Sequence, residues 1–206
     1  MNWHLLLTDN IDQLDTQPDA LVTKCSLHFG REFAVYRPLP FVDHTGFTET
    51  VEEEIAFVIE AQRSTEGAYL GAEELVEQWN LSPLVGRRVA HLSGGWRKFL
   101  GIALFANRKA PAKCFLDVTS HLADERMRVL LERLESQSNE AVVFCEYDSR
   151  LIFDLASTRF SLLLERDDRI EVVERFPVRG ATGTKGTAGT TGTTGTTGFY
   201  SNYEQS

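Results

Sequence analysis

The chain has 206 residues, enough for one domain with a substantial core. Its 21 lysines and arginines against 30 aspartates and glutamates give a formal net charge of −9, which argues against a nucleic-acid binder, because such proteins need a basic surface to displace phosphate counterions. No apolar run approaches the roughly 18–20 residues that a membrane-spanning helix needs. Cys25, Cys114 and Cys145 are too widely spaced for a CxxC zinc motif or a disulfide framework. Together these features predict a reduced, acidic, cytoplasmic protein.

The first forty residues predict strands. A short strand is expected over residues 3–7, and residues 21–29 and 32–37 are strand-like on either side of a Gly30-Arg31 turn. That arrangement favours a β-hairpin. Pro38 and Pro40 follow and would stop its second strand, because proline has no N–H to donate.

From Thr48 the pattern becomes helical. Thr48 or Thr50 can cap a helix whose first turns carry three glutamates at residues 52–54, where the helix dipole favours acids. A second helix is expected over residues 71–79. The apolar positions of the first helix form one stripe: Val51, Ile55, Val58 and Ile59.

The second half alternates strands and helices. A buried strand is expected over residues 113–117, ending in Asp117, and an amphipathic helix over residues 124–134. The apolar run 141–145 is typical of a strand covered on both faces. A helix starting at residues 151–155 and strands over residues 160–164 and 170–173 complete the series. This alternation predicts an α/β fold.

The most informative motif is Leu92-Ser93-Gly94-Gly95, which precedes a predicted helix. A helix start offers free backbone N–H groups and a positive dipole end, and glycines let a ligand approach closely. The motif therefore suits a bound phosphate. An ordinary helix N-cap, with Ser93 capping, is the alternative interpretation of the motif taken alone.

The surroundings of this motif resemble the ATP-binding cassette (ABC) ATPase family over residues 31–173. Leu92-Ser93-Gly94-Gly95 is similar to the family's signature motif, and residues 115–117 are similar to the Walker B strand with its magnesium-associated aspartate, here Asp117. Asp124 resembles the D-loop aspartate. Residues 35–38 resemble the entry to the Q-loop.

The resemblance extends to the helical subdomain. Residues 50–57 are similar to its beginning, especially in importers of the energy-coupling-factor type. The subdomain is expected over residues 48–95. The predicted fold is therefore a truncated P-loop NTPase core of ABC type with an α-helical subdomain.

Several family features are missing from the sequence. No Gly-x-x-x-x-Gly-Lys-Ser/Thr motif occurs, so the chain is expected to begin beyond the P-loop. The Q-loop glutamine position is Arg37, the catalytic glutamate position is Val118 and the switch-histidine position is Tyr147. Without the P-loop most of the β- and γ-phosphate binding is lost. The resemblance thus implies a chain with no independent ATPase activity and no cofactor bound alone.

The retained and lost motifs together suggest a function. ABC ATPases work as head-to-tail pairs in which a nucleotide lies between one P-loop and the other subunit's signature. The resemblance implies a pseudo-ATPase that donates Ser93, Gly94 and Gly95 to Mg-ATP on an intact partner ATPase, with Arg37, Asp117, Val118, Asp124 and Tyr147 as degenerate site positions. Arg97 and Lys98 are expected to add positive potential there. A membrane permease is a further implied partner, which would place the chain at the inner face of the membrane.

Other functions remain open at this point. The cassette fold could serve only as a protein-binding scaffold, and the dimer could be a homodimer. A translation-factor-like ABC protein and a truncated remnant without function are further alternatives. In every case neither nucleic-acid binding nor membrane insertion is expected.

The C-terminal segment differs from the rest of the chain. Seven of the 15 glycines recur every third residue between Gly180 and Gly198, mostly separated by threonines. The expected division is a cassette-like domain over residues 1–179 and a disordered low-complexity tail over residues 180–206 with an aromatic end, because such a composition cannot bury a core.

Overall fold

The computed structural model describes residues 2–8, 17–37, 45–65, 67–120, 122–137, 141–147, 160–166 and 169–176. The predicted Gly/Thr tail and the helix predicted to start at residues 151–155 lie outside these ranges. The boundary between residues 179 and 180 stays a prediction for the same reason.

Six strands of the described chain form one sheet. They are β1 (Asn2–Leu7), β2 (Ala34–Tyr36), β3 (Ala112–Leu116), β4 (Ala141–Glu146), β5 (Phe160–Arg166) and β6 (Arg169–Phe176). Their order across the sheet is β2-β3-β4-β1-β5-β6. All neighbours pair in parallel except β5 and β6, which form an antiparallel pair. The prediction of an α/β fold is confirmed.

Five α-helices of the described chain lie between these strands in sequence. They are α1 (Pro18–Phe29), α2 (Val51–Arg63), α3 (Ala72–Gln78), α4 (Gly94–Ala106) and α5 (Asp124–Ser136), with short 3-10 turns at Ser82–Leu84 and Val89–His91. The helix predicted from Thr50 is present as α2 and the helix predicted over residues 71–79 as α3. The helices predicted after Ser93 and over residues 124–134 are present as α4 and α5. No helix in the described ranges is long and apolar enough to cross a bilayer.

The core consists of two clusters, one on each face of the sheet. The smaller packs α1 against the sheet through Leu21 and Cys25, which meet Cys114 and Cys145 of the neighbouring strands β3 and β4. The larger packs α4 and α5 on the opposite face, where Phe115 is buried, and continues into α2 and α3. Because side chains alternate along a strand, neighbouring residues of β3 and β4 supply both faces, and the result is three layers.

The predicted β-hairpin over residues 21–37 is wrong. Residues 18–29 form α1, with Pro18 in its first turn and Asp19 beside it, where the helix dipole favours an acid. Leu21 and Cys25 are four residues apart and both face the sheet. Strand β2 pairs in parallel with β3 rather than with the preceding segment. The β-branched and aromatic residues that suggested strands are overridden by this packing.

The expectation that the chain begins beyond the P-loop position is also wrong. Strand β1 lies in the middle of the sheet, between β4 and β5, and α1 follows it. A P-loop is a strand–loop–helix element, and the chain has a central strand followed by a helix in that order. What is missing is the loop sequence, since residues 8–17 read Thr-Asp-Asn-Ile-Asp-Gln-Leu-Asp-Thr-Gln.

An unexpected lysine interrupts the apolar sequence of β3. Lys113 is fully buried, and its Nζ donates to the Ala106 carbonyl at 2.6 Å and to Gln137 Oε1 at 2.9 Å. Burial, reinforced by the charge of Arg108, lowers the pKa of Lys113 to about 7. The ammonium therefore meets the carbonyl end of α4, where helix dipoles favour a cation.

Candidate functional site

The candidate site lies at the carboxyl ends of the central parallel strands. Thr8 follows β1, Asp117 follows β3 and Glu146 ends β4. In the sheet, β2, β3 and β4 lie on one side of β1, and β5 and β6 lie on the other. In open α/β sheets ligands bind outside the carboxyl ends of the strands at such a switch point.

Asp117 is held in an unusual backbone conformation. Its φ is 47°, the left-handed region that non-glycine residues rarely adopt, and its N–H donates to the Cys145 carbonyl at 2.9 Å. The turn changes the direction of the chain after β3 and directs residues 117–120 over the ends of β3 and β4. Strained backbone of this kind concentrates at functional sites.

Glu146 fixes the other side of the same loop. Its Oε1 accepts from the Val118 N–H at 2.7 Å, and its Oε2 accepts from the Thr119 hydroxyl at 2.6 Å. The side chain has no exposed surface. Burial raises the pKa of Glu146 to about 8, against the opposing effect of the Thr119 hydrogen bond and with a smaller contribution from the charge of Asp117. Sequence analysis missed this residue.

Lys98 extends from α4 into the loop. Its Nζ donates to the carbonyl of Asp117, to the Ser120 carbonyl at 2.8 Å and to Ser120 Oγ at 2.6 Å, and it lies 3.5 Å from Asp117 Oδ2. Lys98 is only 5% exposed. The ammonium is therefore engaged inside the chain, and the expectation that it adds positive potential for a partner's nucleotide stays a prediction.

The Ser93-Gly94-Gly95 segment forms the start of α4, as expected. Ser93 occupies the N-cap position, yet its side chain makes no capping hydrogen bond. Both Ser93 and Gly94 are exposed, and a Cβ placed on Gly94 would meet nothing within 4 Å. The interpretation of Ser93 as an ordinary N-cap loses support, because its hydroxyl makes no capping hydrogen bond.

An aromatic side chain, Trp96, and a cationic one, Arg126, lie beside this helix start. The guanidinium carbon of Arg126 lies 3.7 Å from the centre of the Trp96 ring, a cation–π contact between α5 and the first turn of α4. Trp96 in turn packs at 6.1 Å, centre to centre, on Phe99. The contact brings a positive charge from α5 to the exposed end of α4.

The remaining predicted positions lie around the ends of the strands. Arg37, exposed just after β2, forms an ion pair with Asp19 of α1, and the hydrogen bond from Arg37 lowers the pKa of Asp19. Val118 is fully buried and Tyr147 is exposed after β4. Asp124 is the exposed first residue of α5. Val118 has no ionisable group, and the Arg37 guanidinium is paired with Asp19, whereas the Asp124 and Tyr147 side chains are exposed.

The chain's own half of a nucleotide site does not fit Mg-ATP. The segment between β1 and α1 carries Asp9, Asp12 and Asp15 instead of a glycine-rich loop with a lysine, and these acids would repel a polyphosphate. The Asp117 carboxylate is already engaged by the Ser120 hydroxyl and lies close to the Lys98 ammonium. Among the described residues, no group of three or more His, Cys, Asp and Glu side chains is arranged to hold a metal ion.

Comparison of the sequence with protein-family models gives no match, and comparison with curated proteins gives none either. Solved structures do match. An ABC transporter described as of the metal-chelate type, in an inward-facing conformation, has a TM-score of 0.56 at 20% identity and covers 84% of this chain and 72% of its own. A dimeric ATP-binding cassette in a post-hydrolysis state, bound to ADP and phosphate, has a TM-score of 0.54 at 15% identity, covering 87% and 86%.

A third matching structure is that of a ribosome-bound complex. Ribosome-bound archaeal ABCE1, described together with Pelota, has a TM-score of 0.54 at 16% identity and covers 84% of this chain and 33% of its own. The chain has the ABC ATPase-like fold. At these identities the likeness establishes the fold, and the choice among functions depends on the site residues.

Proposed function

We propose that this chain is a pseudo-ATPase subunit of ABC type that donates its Ser93-Gly94-Gly95 helix start to a nucleotide held by an intact partner ATPase. The observation that carries the proposal is the contrast between two parts of the chain. The start of α4 is exposed and its serine hydroxyl makes no cap. By contrast, the chain's own catalytic-glutamate position is the buried Val118, and the Asp117 carboxylate is engaged by the Ser120 hydroxyl. The alternative function, a protein-binding scaffold, explains the altered hydrolytic positions but gives no reason for the exposed, uncapped start of α4.

The chemistry of the α4 start suits a partner's phosphate. The first N–H groups of a helix have no intrahelical partner, and α4 has 13 residues, long enough for a full N-terminal dipole. The Ser93 hydroxyl would donate to a γ-phosphate oxygen, and the N–H groups of Gly94 and Gly95 would add backbone donors. Arg126, stacked on Trp96, would contribute positive potential nearby.

The opposite composite site would be inactive. Val118 stands where the fold's relatives would need a base, and a valine cannot accept a proton from water. Tyr147 occupies the switch position, and the segment between β1 and α1 has no lysine. Mg-ATP would therefore be shared with the partner at one site only, and the chain alone would hydrolyse none.

A membrane permease fits the helical part of the chain. Phe47 is 83% exposed and Phe57 47% exposed, and their rings lie 6.0 Å apart beside α2. Aromatic residues are enriched in protein–protein interfaces relative to the rest of the surface. The proposal therefore includes a cytoplasmic position against a membrane complex, with an energy-coupling-factor type of importer as the expectation from sequence.

The test uses the full chain purified with its partner ATPase from the source cells, followed by ATPase assays on the pair. Ser93→Arg should lower the rate about tenfold or more while the pair still assembles, because the larger side chain fills the phosphate position. Ser136→Arg is the matched control, since Ser136 is exposed at the far end of α5, and the rate should not change.

Two outcomes separate the candidate functions. If the Ser93→Arg pair assembles and hydrolyses ATP at the wild-type rate, signature donation is wrong and the scaffold function takes its place. If the chain purifies stably without any ATPase partner, both the head-to-tail pair and the permease complex lose their support.

A further inference from the structure

The Lys98 ammonium has a full set of partners inside the chain. A lysine ammonium has three N–H donors, and Lys98 Nζ lies within hydrogen-bond distance of the carbonyls of Asp117 and Ser120, the Ser120 hydroxyl and, at 3.5 Å, Asp117 Oδ2. All of these acceptors belong to the loop that follows β3, whereas Lys98 belongs to α4. One buried cation therefore joins the helix that begins at Ser93 to the end of β3.

The same cation neutralises the Asp117 carboxylate. Ser120 Oγ accepts from Lys98 and donates to Asp117 Oδ2, and Nζ itself lies 3.5 Å from that oxygen. The side chains are only 6% and 22% exposed, so water screens their interaction weakly. A divalent cation at this carboxylate would meet a fixed positive charge in a poorly hydrated place, whereas Mg²⁺ needs near-octahedral room and retains several waters.

The rest of the loop is held by further hydrogen bonds. Glu146 accepts from the Val118 N–H and from the Thr119 hydroxyl, so the loop is bonded both to the end of β4 and, through Lys98, to α4. Movement of Asp117 toward solvent would break the contacts of its carbonyl and carboxylate with Lys98 and leave the buried ammonium with fewer acceptors, which is unfavourable.

We propose that the Lys98 ammonium is a built-in cation that takes the place of a divalent metal at Asp117 and fastens α4 to the loop after β3. The chain's own half of the nucleotide site is then closed from within. The start of α4, with Ser93, is held at a fixed position against the sheet without any metal or nucleotide. This proposal concerns the chain alone and stands independently of signature donation to a partner.

The test measures Mn²⁺ binding, as a paramagnetic substitute for Mg²⁺, to the full chain by electron paramagnetic resonance. The wild type should show no Mn²⁺ binding that depends on Asp117, so Asp117→Asn in the wild-type background should change nothing. Lys98→Met removes the charge while keeping an unbranched apolar side chain. It should raise Mn²⁺ affinity roughly tenfold or more, and Asp117→Asn added to Lys98→Met should abolish the gain.

Each result decides the proposal. If Asp117→Asn lowers Mn²⁺ binding of the wild type, the metal site is open and the proposal is overturned. If Lys98→Met is folded by circular dichroism but gains no Mn²⁺ affinity, Lys98 does not exclude the metal and the proposal is likewise overturned. If Lys98→Met fails to fold, the comparison of wild type with Asp117→Asn decides alone. None of these readouts depends on the ATPase activity of a partner.

Discussion

At the scale of single residues, the carboxyl end of the sheet combines groups whose charges are set by their surroundings. Glu146 has no exposed surface, and burial raises its pKa to about 8. The unfolded chain would release that proton near pH 4.5. Between these two values the folded state holds a proton that the unfolded state has lost, so folding is penalised more as the pH rises.

We therefore expect the free energy of unfolding to fall by up to about 1.4 kcal/mol per pH unit between about pH 5 and pH 8 because of Glu146. Glu146→Gln should remove this component, since a glutamine keeps the shape and can still accept from the Val118 N–H. Urea denaturation of both proteins at pH 5, 6.5 and 8 measures the difference. Glu132→Gln, at an exposed position of α5, is the control and should follow the wild type; parallel curves for wild type and Glu146→Gln would contradict the assignment.

The residue scale also shows what the sequence could not reveal. Asp117 was predictable because an acid at the end of an apolar strand is a local pattern. Lys98 and Glu146 were not, because their partners lie 19 to 28 residues away along the chain. Neither the lysine four residues into a helix nor the glutamate ending a strand carries a local signal of burial, and such residues are usually exposed.

At the scale of elements, the first turn of α2 positions the segment that leads to Ser93. Thr50 caps α2 by accepting from the Glu53 N–H, and the Glu53 carboxylate accepts from the Thr50 N–H, which completes a capping box. The backbone of the same turn joins the later segment, since the Val51 N–H donates to the Arg87 carbonyl and the Val89 N–H to the Glu49 carbonyl. The cap therefore supports both α2 and the approach to α4.

Thr50→Ala should lower the free energy of unfolding by about 1 kcal/mol, the usual effect of losing a side-chain cap. Thr50→Ser is the matched variant and should stay within a few tenths of the wild type, because it retains the hydroxyl. Urea denaturation at neutral pH measures both. If serine were as destabilising as alanine, the methyl group of Thr50 rather than its hydroxyl would be the stabilising part.

Elements with strong local patterns were predicted well and those fixed by packing were not. Val51, Ile55 and Ile59 identify α2 by their spacing, and Thr50 marks its start, so sequence alone was sufficient there. For α1, β-branched and aromatic residues outweighed the Pro18-Asp19 start signal, and only its packing on Cys114 and Cys145 decides for a helix. The central place of β1 depends on pairing with residues 141–146 and 160–164, which no local window contains.

At the scale of the whole molecule, β1 lies in the middle of the sheet and α1 follows it, but the sequence between them is not that of a P-loop. The segment that joins β1 to α1 in the sequence carries Asp9, Asp12 and Asp15, and Arg37 pairs with Asp19 in the first turn of α1. The exposed start of α4 lies elsewhere on the surface of the same chain. Under the proposed function, such a chain would complete its partner's nucleotide site, while the partner could not complete a site on this chain.

This asymmetry predicts the nucleotide content of the assembled pair. Under the proposed function, the partner's P-loop and this chain's Ser93 form one site, whereas the segment between β1 and α1 offers no phosphate ligands to the partner's signature. A pair made with a hydrolysis-deficient partner should therefore retain one ATP, and a homodimer of that partner should retain two. Quantifying nucleotide released on denaturing the gel-filtered complexes measures the ratio. Two nucleotides per pair would show that the segment after β1 binds ATP despite Asp9, Asp12 and Asp15, and none in an intact pair would favour the scaffold, since assembly without nucleotide needs only the interface.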